Sequence, residues 1–217
     1  MQEKIIRKPG RPRDEDLVKR RQESILIAAS KAFADRGFSG TDVEEIARSL
    51  DVGKGTIYRY FPSKRDLFLS AADFGMRMLS EEVASSADST DDPLEQIERA
   101  IVSYLTFFDS NPEFLELIIQ ERANFKERKK PTYFEYKDTN VGRWQSLFRK
   151  LIKDGRARDV PVEKITDALS DIVYGTMFTN IFSGRKKSLN EQARDILDVI
   201  FNGILTAKPE ESVEKAL

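Results

Sequence analysis

Apolar residues recur at helical spacing along most of this chain. Between residues 16 and 36 they form one stripe, made of Leu17, Ile25, Leu26, Ala29, Ala32 and Phe33. A stripe of this period predicts an amphipathic helix, and Gly37 is typical of a helix end. Similar stripes continue to about residue 205, and no run shows convincing strand-like alternation. The pattern therefore predicts an all-α fold of about nine helices.

Two short helices joined by a tight turn are predicted after the first long helix. Thr41 and Glu44 form a capping box, so the first of the pair begins at about residue 42. Gly53 marks the turn, and the second helix carries Ile57 and Phe61 on its inner side. A helix-turn-helix places such a second helix in the DNA major groove. Taken alone, the stretch also fits two ordinary amphipathic helices with a solvated charged face.

Start and stop signals place the remaining helices, with a small polar loop expected over residues 84–92. The predicted helices run from Ser63 to about Val83, from Asp92 with Pro93 to Phe108, from Asn111 with Pro112 through Ile119, from about 131 to 154 before Gly155, from Pro161 to about Phe182 before Gly184, and from the Ser188–Glu191 box through Leu205.

Composition excludes several classes of protein. Charged residues make up 34% and hydrophobic residues 40% of the 217, which is typical of a soluble globular chain. No apolar run approaches the roughly 20 residues of a membrane helix, and no secretion signal is visible, so we expect a cytoplasmic protein with no membrane partner. Cys and His are both absent, which excludes the common zinc sites and any triad with a His base. We expect no cofactor.

Charge is distributed unevenly although the net charge is only −1. Residues 1–68 hold 15 Lys and Arg against 11 Asp and Glu, whereas residues 69–217 hold 21 against 26. A basic N-terminal part suggests contact with phosphate. Arg11 and Arg13 flank Pro12 as in an AT-hook, whose arginines enter a narrow minor groove. A solvated basic tail is the equally favoured reading.

Residues 22–70 carry a family resemblance in order and without gaps. The matching segments are Ile25-Leu-Ile-Ala-Ala29, Phe33-Ala-Asp-Arg-Gly-Phe38, Gly40-Thr41, Glu45-Ile-Ala47, Val52, Lys54-Gly-Thr-Ile-Tyr58, Tyr60-Phe-Pro-Ser-Lys64 and Leu67. In these the chain resembles the TetR (tetracycline-repressor-like) family of transcription regulators. Beyond residue 70 the resemblance extends only to a helical architecture.

The resemblance implies a three-helix DNA-binding head and a helical body that dimerises and holds a small-molecule pocket. On this chain the head covers residues 16–62 and the body 63–207, with a flexible basic arm at 1–15 and a loose tail at 208–217. The expected function is a repressor that binds a palindromic operator on double-stranded DNA as a homodimer. A small lipophilic effector would release it. The alternative is a constitutive DNA-binding protein, an architectural factor or activator, without a ligand.

Candidate DNA contacts come partly from the resemblance and partly from the chemistry of the second short helix. The resemblance implies that Thr41 and Lys64 contact phosphate. It also shows one departure, because Gly53 stands where the family often has Ser, so a hydroxyl contact to phosphate is missing there. The recognition positions are Lys54, Gly55, Thr56, Tyr58, Arg59 and Tyr60. Arg59 could grip a guanine with two hydrogen bonds or clamp a phosphate, and the first reading is our hypothesis.

Aromatic residues are dense in the predicted body. An aromatic core is the ordinary reading of any one of them, but the resemblance implies that some line a mostly apolar cavity. The candidate pocket residues are Tyr104, Phe107, Phe108, Phe114, Ile118, Arg122, Trp144, Phe148, Tyr174 and Phe178. Arg122, Gln120 and Asn180 are the candidate polar groups, and an inward Arg122 would favour an anionic ligand.

The last two predicted helices have apolar faces that look too wide for burial against the body alone. Paired with their symmetry mates they would form a four-helix bundle at a dimer interface. The candidate interface residues are Ile165, Leu169, Ile172, Val173, Thr176, Ile196, Leu197, Ile200, Phe201 and Ile204.

An enzyme is the remaining rival interpretation. Residues 53–56 resemble a fragment of a phosphate-binding loop, but Arg48 stands where its first Gly should be and no strand precedes it. The sequence also lacks Gly-x-Ser-x-Gly. We therefore expect a regulator rather than an enzyme.

Overall fold

The computed structural model describes residues 15–203, and within them the chain forms nine helices and no strand. The helices are α1 (Glu15–Gly40), α2 (Val43–Ser49), α3 (Lys54–Tyr60), α4 (Lys64–Ala87), α5 (Pro93–Ser110), α6 (Pro112–Asn124), α7 (Thr132–Lys153), α8 (Val162–Ser183) and α9 (Leu189–Asn202). The predicted all-α fold is confirmed. Arg11, Arg13, Ile204 and the predicted tail lie outside the described residues.

The chain divides into two compact units, and the division falls inside one helix. The head unit ends at Phe74 and the body unit begins at Gly75, and both residues belong to α4. This single helix buries Leu67 and Phe68 in the first unit and Met76 in the second. None of the described helices combines the length and hydropathy that a bilayer crossing requires.

Aromatic packing holds the head unit together. The buried ring of Phe33 lies 5.1 Å from that of Phe68, and the ring of Phe38 lies 5.5 Å from Phe68, both edge to face. Edge-to-face pairs of this kind contribute about 0.5–1.5 kcal/mol beyond their buried area. Gly37 has φ 74° and ψ 164°, so the helical path of α1 is interrupted there, next to the predicted end.

The start of α2 differs from the predicted capping box. Its N-cap is Asp42, whose carboxylate accepts a hydrogen bond from the amide of Glu44 at 2.9 Å. Thr41 is buried instead, and its hydroxyl donates to the carbonyl oxygens of Ala32 at 3.0 Å and Gly37 at 2.8 Å. The prediction was wrong because the carbonyls at the end of α1 need donors, and Thr41 lies beside them.

Two later helix starts follow the sequence closely. Asp92 caps α5 by accepting from the amides of Leu94 and Glu95, and Arg156 lies 2.5 Å from its carboxylate. The hydrogen bond from Arg156, followed by that from the Glu95 amide, lowers the pKa of Asp92 to about 2. Ser188 caps α9 in a complete capping box, as predicted.

The predicted loop over residues 84–92 is shorter in the structure. Helix α4 continues to Ala87, which is fully buried. Alanine has the highest helix propensity, and burial of its methyl group stabilises one more turn of the helix. The sequence pattern stopped the helix early because it counted only large apolar residues.

Helix α5 lies at the centre of the body unit and packs against α6, α7, α8 and α9. Its buried side chains meet those of the neighbouring helices in one core, which contains Ile97, Ile101, Leu105, Phe148, Leu151, Val162, Val173, Ala193, Ile196 and Leu197.

A buried carboxylate fixes the start of α7. Glu121 is 1% exposed and accepts hydrogen bonds from the backbone amide of Thr132 at 3.0 Å and from its hydroxyl at 3.1 Å. Arg128 completes the arrangement, with its Nε 3.1 Å from the same carboxylate. The first residue of α7 is therefore held in place, and Tyr133 follows directly.

Gly75 allows a close approach between α4 and Phe114 of α6 in the body unit. A Cβ placed on it would lie 2.6 Å from Cγ of Phe114, inside the ring's van der Waals surface. Phe114 is itself 3% exposed in the core, so its ring has little room to move. Gly142, on the exposed side of α7, has open space around it.

We predict opposite effects of the same substitution at these two glycines. Gly75→Ala should lower the free energy of unfolding by about 1–3 kcal/mol, because the new methyl group overpacks the core. Gly142→Ala should raise it by about 0.5–1 kcal/mol through helix propensity. Urea unfolding of both variants checks this, and equal effects at the two positions would contradict the close approach at Phe114.

Candidate nucleic-acid interface and body pocket

Helix α3 buries one face and leaves the candidate DNA contacts on the other. Ile57 is fully buried and Phe61 is 7% exposed, which anchors the helix in the head unit. The remaining positions face outward to different degrees: Gly55 and Arg59 are exposed, and Lys54, Thr56, Tyr58 and Tyr60 are partly exposed. The predicted recognition residues are thus all at least partly accessible, and they surround α3 on every side except the one that carries Ile57 and Phe61.

The start of α3 carries a weakly held cation. Gly53 is the N-cap and offers no side-chain hydrogen bond, and Lys54 is the first helical residue. The Lys54 ammonium lies 3.6 Å from the exposed carboxylate of Asp42. The pKa of Asp42 is lowered, first by the hydrogen bond from the Glu44 amide and further by Lys54. A surface ion pair of this kind contributes about 0–1 kcal/mol, so a phosphate can compete for Lys54.

Arg59 has the freedom that reading a base requires. Its guanidinium carbon lies 5.1 Å from the centre of the Tyr60 ring, a cation–π arrangement. No carboxylate among residues 15–203 lies within ion-pair distance of it. Stacking on Tyr60 restricts the side chain without using its five N–H donors.

The two other predicted phosphate contacts, Thr41 and Lys64, differ in how accessible their side chains are. The Thr41 hydroxyl is committed to carbonyls inside the head unit, which counts against its predicted contact with DNA. Lys64 begins α4 and donates to the carbonyl of Ser39 at 3.2 Å, with its ammonium 5.1 Å from the Phe38 ring centre. Lys64 remains partly exposed and available.

The body unit contains a cavity of about 200 Å³ between α4, α5, α7 and α8. Three of the predicted pocket residues line it: Tyr104, Trp144 and Phe148. The other lining residues are Met76, Leu79, Ser80, Val83, Ala84, Ile97, Ala100, Ile101, Tyr133, Tyr136, Lys137, Asn140, Val141, Arg143, Thr166, Leu169, Ser170 and Val173. Within residues 15–203, no group of acidic side chains is placed to hold a metal ion.

The remaining pocket predictions are not supported by this geometry. Phe107, Phe108, Phe114 and Ile118 belong to the core, where the rings of Phe107 and Phe114 stack at 5.7 Å. Arg122 is exposed, and its guanidinium donates to the carbonyl of Lys126 at 3.4 Å. Helical spacing places residues on a face, but it does not tell which face of a buried helix meets a cavity.

Tyr174 and Phe178, also predicted for the pocket, do not line it; they lie in an aromatic row that starts beside the lining residue Tyr133, whose ring centre is 4.9 Å from that of Tyr174. The ring centres of Tyr174 and Phe178 are 4.9 Å apart, and Phe178 stacks on Phe182 at 5.9 Å. The two candidate amides are committed elsewhere: Asn180 exchanges two hydrogen bonds of 2.9 Å with Gln192, and Gln120 donates to Glu116 at 3.1 Å.

Sequence reasoning missed the polar end of the pocket. Tyr133, Lys137 and Val141 stand four residues apart on α7, so they share a face with Trp144 and Phe148. The hydroxyl of Tyr133 lies 2.8 Å from that of Tyr104, which also lies 3.4 Å from the sulfur of Met177. Burial raises the pKa of Tyr133 to about 12 and that of Tyr104 well above its ordinary value, so both are protonated at neutral pH.

The predicted dimer residues separate into two groups. Val173, Ile196 and Leu197 are buried in the core of their own body unit, and Ile165, Leu169, Ile200 and Phe201 pack against it. Ile172 is 37% exposed, and Thr176 is partly exposed with its hydroxyl bonded to the Ile172 carbonyl. The large apolar residues left exposed on α8 and α9 are Ile172, Ile181, Phe182 and Val199.

Comparison with known proteins agrees with this architecture. Residues 25–71, which include all of α2 and α3, match the family model for bacterial regulatory proteins of the tetR family. The HTH-type transcriptional regulator YerO of Bacillus subtilis is 28% identical over 185 residues, 81% of this chain and 60% of YerO. This chain belongs to the TetR family of transcription regulators.

Other relatives of this TetR-family chain are regulators of both signs. The transcriptional repressor BepR of Brucella suis is 33% identical over 108 residues, 48% of this chain and 51% of BepR. A transcriptional activator matches at 30% over 109 residues. The chain spans between 48% and 66% of the length of the first three curated relatives. These relatives are transcription regulators and not enzymes.

Solved structures share the fold over most of the chain. The regulator FadR from Bacillus subtilis, crystallised with stearoyl-CoA, has a TM-score of 0.68 at 18% identity, covering 84% of this chain and 99% of FadR. At that identity the likeness establishes the fold of the TetR-family chain and nothing about its ligand.

We predict that two threonines of the head unit respond differently to loss of their hydroxyl groups. Thr41→Val should lower the free energy of unfolding by about 1–3 kcal/mol, because two carbonyls of α1 lose a buried donor. Thr56→Val, on the exposed side of α3, should change it by less than about 0.5 kcal/mol. Urea unfolding measures both, and a Thr41→Val protein as stable as Thr56→Val would contradict the inward hydroxyl.

Proposed function

We propose that this TetR-family regulator binds a palindromic operator as a homodimer, represses transcription there, and is released by a small lipophilic ligand. The observation that carries the proposal is the outward face of α3. It combines an exposed Arg59, a Lys54 held only by a surface ion pair, and two partly exposed tyrosines. Within residues 15–74, no other helix groups cations and phenols in this way.

The residues of α3 fit distinct roles at a major groove. Arg59 is the base reader, because a guanidinium without a carboxylate partner can make two hydrogen bonds to a guanine, worth about 1–3 kcal/mol of discrimination. Lys54, Tyr58 and Tyr60 contact phosphates and fix the register. Gly55 carries no side chain, so the backbone can approach the duplex closely.

Dimerisation supplies the second recognition helix. The exposed apolar residues Ile172 and Phe182 lie on α8, and Val199 lies on α9. Two copies of these helices would bury those residues in a four-helix bundle. Two heads carried by such a dimer reach successive major grooves, about 34–36 Å apart.

Ligand release is proposed to act through α4. Five residues of this helix line the cavity, from Met76 to Ala84, while its first turns carry the buried Leu67 and Phe68 of the head unit. A ligand that prefers a different position of α4 would shift the dimer away from the operator-bound state by its difference in affinity. The mostly apolar lining of the cavity supports a lipophilic ligand, and FadR, which shares this fold, was crystallised with stearoyl-CoA.

The proposal is tested by selecting operators from random duplexes with the purified protein. We expect an inverted repeat that binds two chains, and a reporter gene placed behind it should be silenced. Arg59→Ala should lose preference at one symmetric base pair, with a loss of about 1–3 kcal/mol on the preferred sequence only.

The matched control is Arg149→Ala, an exposed arginine of the body unit, which should leave binding unchanged. Equal weakening of Arg59→Ala on every sequence would assign Arg59 to the phosphate backbone. One chain per duplex would contradict the dimer, activation of the reporter would contradict repression, and binding unaffected by any lipophilic compound would favour the constitutive alternative.

A further inference from the structure

We propose that the body cavity selects an amphipathic organic anion, an apolar chain or ring that ends in a carboxylate or phosphate. The inference rests on the proposed ligand response and adds the chemical class of the ligand. The anionic end would lie beside Lys137 and the hydroxyl pair of Tyr104 and Tyr133, and the apolar part would fill the space between α4, α5 and α8.

The charges of the lining residues favour an anion. Lys137 and Arg143 both line the cavity, and none of the lining residues is Asp or Glu. The acids that face these two cations lie outside the lining: Asp171 is 3.9 Å from Lys137, and Asp88 is 2.5 Å from Arg143. The side chains of Asp171 and Asp88 are 81% and 64% exposed, so water screens their charges. A ligand carboxylate inside the cavity would meet Lys137 where water is scarcer.

The hydroxyl pair offers a donor that no strong acceptor uses. Tyr104 and Tyr133 carry two O–H protons, and one of them lies between the two oxygens. Among the described residues, the only other hydrogen-bonding contact of these two hydroxyls is with the thioether sulfur of Met177, a weak acceptor. A carboxylate oxygen is a much stronger acceptor, and hydrogen bonds to charged groups are about twice as strong as neutral ones.

Tyr133 and Lys137 occupy neighbouring positions near the start of α7. Tyr133 and Lys137 are four residues apart on α7, which makes them neighbours on one helix face. Thr132, the residue before Tyr133, donates hydrogen bonds from its amide and its hydroxyl to the buried carboxylate of Glu121, which fixes the start of α7. The hydroxyl of Tyr133 is therefore already positioned, through the fixed start of α7 and its bond with Tyr104, which lowers the entropy cost of binding an anion there.

The rest of the lining fits an apolar group. Leu79, Val83, Ile97, Ile101 and Phe148 form its walls. Apolar cavities of about 150 Å³ bind benzene, so a cavity of this size accepts a ring or a folded alkyl chain. The ligand class is thus set by two separate parts of the lining.

Trp144 provides the measurement, because it is the single tryptophan of the chain and lines the cavity. We would titrate the intact protein with decanoate, decanoyl-CoA and decan-1-ol and follow the Trp144 fluorescence. Decan-1-ol has the same chain length as decanoate and is more lipophilic, so lipophilicity alone would make the alcohol bind more tightly. We expect the reverse: decanoate or its CoA thioester should bind at least about tenfold more tightly than the alcohol.

Substitutions on α7 locate the anion. Lys137→Met keeps an apolar stem and removes the charge, so it should weaken binding of the anion by about tenfold or more and leave the alcohol unchanged. Lys137→Arg should retain most of the affinity. Tyr133→Phe should weaken the anion again through loss of the donor. Lys150→Met, an exposed lysine of the same helix, is the control and should change neither ligand.

The outcomes separate this inference from the function on which it rests. If decan-1-ol binds as tightly as both anions, or if Lys137→Met changes all three equally, the anion is overturned while a lipophilic ligand stands. If none of the three changes the Trp144 fluorescence or the operator affinity, both the anion and the ligand response are contradicted. If decanoate binds more tightly than decanoyl-CoA, the recognised anion is a free carboxylate. If decanoyl-CoA binds more tightly, the recognised charge lies on its phosphates.

Discussion

The structure depends on α4, a single helix that serves two cores. Leu67 and Phe68 are completely buried in the head unit, while Met76 and Leu79 on the same helix line the cavity of the body unit. We propose that a displacement of α4 at the cavity is passed along its hydrogen-bonded backbone toward the head unit. Gly75, at the division between the units, lets Phe114 pack against the backbone of α4. Tight packing on this helix makes it suited to respond to what occupies the cavity.

The polar side chains of α3 and those of the body cavity differ in how far they are exposed to water. Helix α3 has only seven residues, too few to be stable alone, and the burial of Ile57 and Phe61 holds it in place. Its polar face therefore needs no internal partners. In the body cavity, by contrast, the hydroxyls of Tyr104 and Tyr133 are partnered with each other, and burial raises the pKa of both. We propose that the first surface binds phosphates and bases, and that the second binds a ligand.

The sequence predicted those features that depend on local chemistry. Helix periodicity, the cap at Asp92, the capping box at Ser188 and the inner positions Ile57 and Phe61 all follow from neighbouring residues. The family resemblance over residues 22–70 supplied the recognition positions, and their contacts with DNA stay predictions. The prediction for Thr41 was wrong because its hydroxyl donates to the carbonyl of Ala32, nine residues earlier in the chain. No local sequence pattern reveals that contact.

The body was harder to predict because its helices are apolar on more than one side. Phe107 and Tyr104 belong to the same helix, yet only Tyr104 meets the cavity. Likewise Val173 and Ile172 are neighbours on α8, one buried in the core and the other exposed. Which side faces a core, a cavity or a second chain is decided by tertiary packing, and single-sequence spacing does not contain it.

The most direct test of the account is the coupling between the cavity and the head. Decanoate affinity would be measured by Trp144 fluorescence, first with the free protein and then with the protein saturated by its operator duplex. The account predicts weaker decanoate binding on the operator, by the same factor by which decanoate weakens operator binding. Equal decanoate affinity in the two states would contradict it.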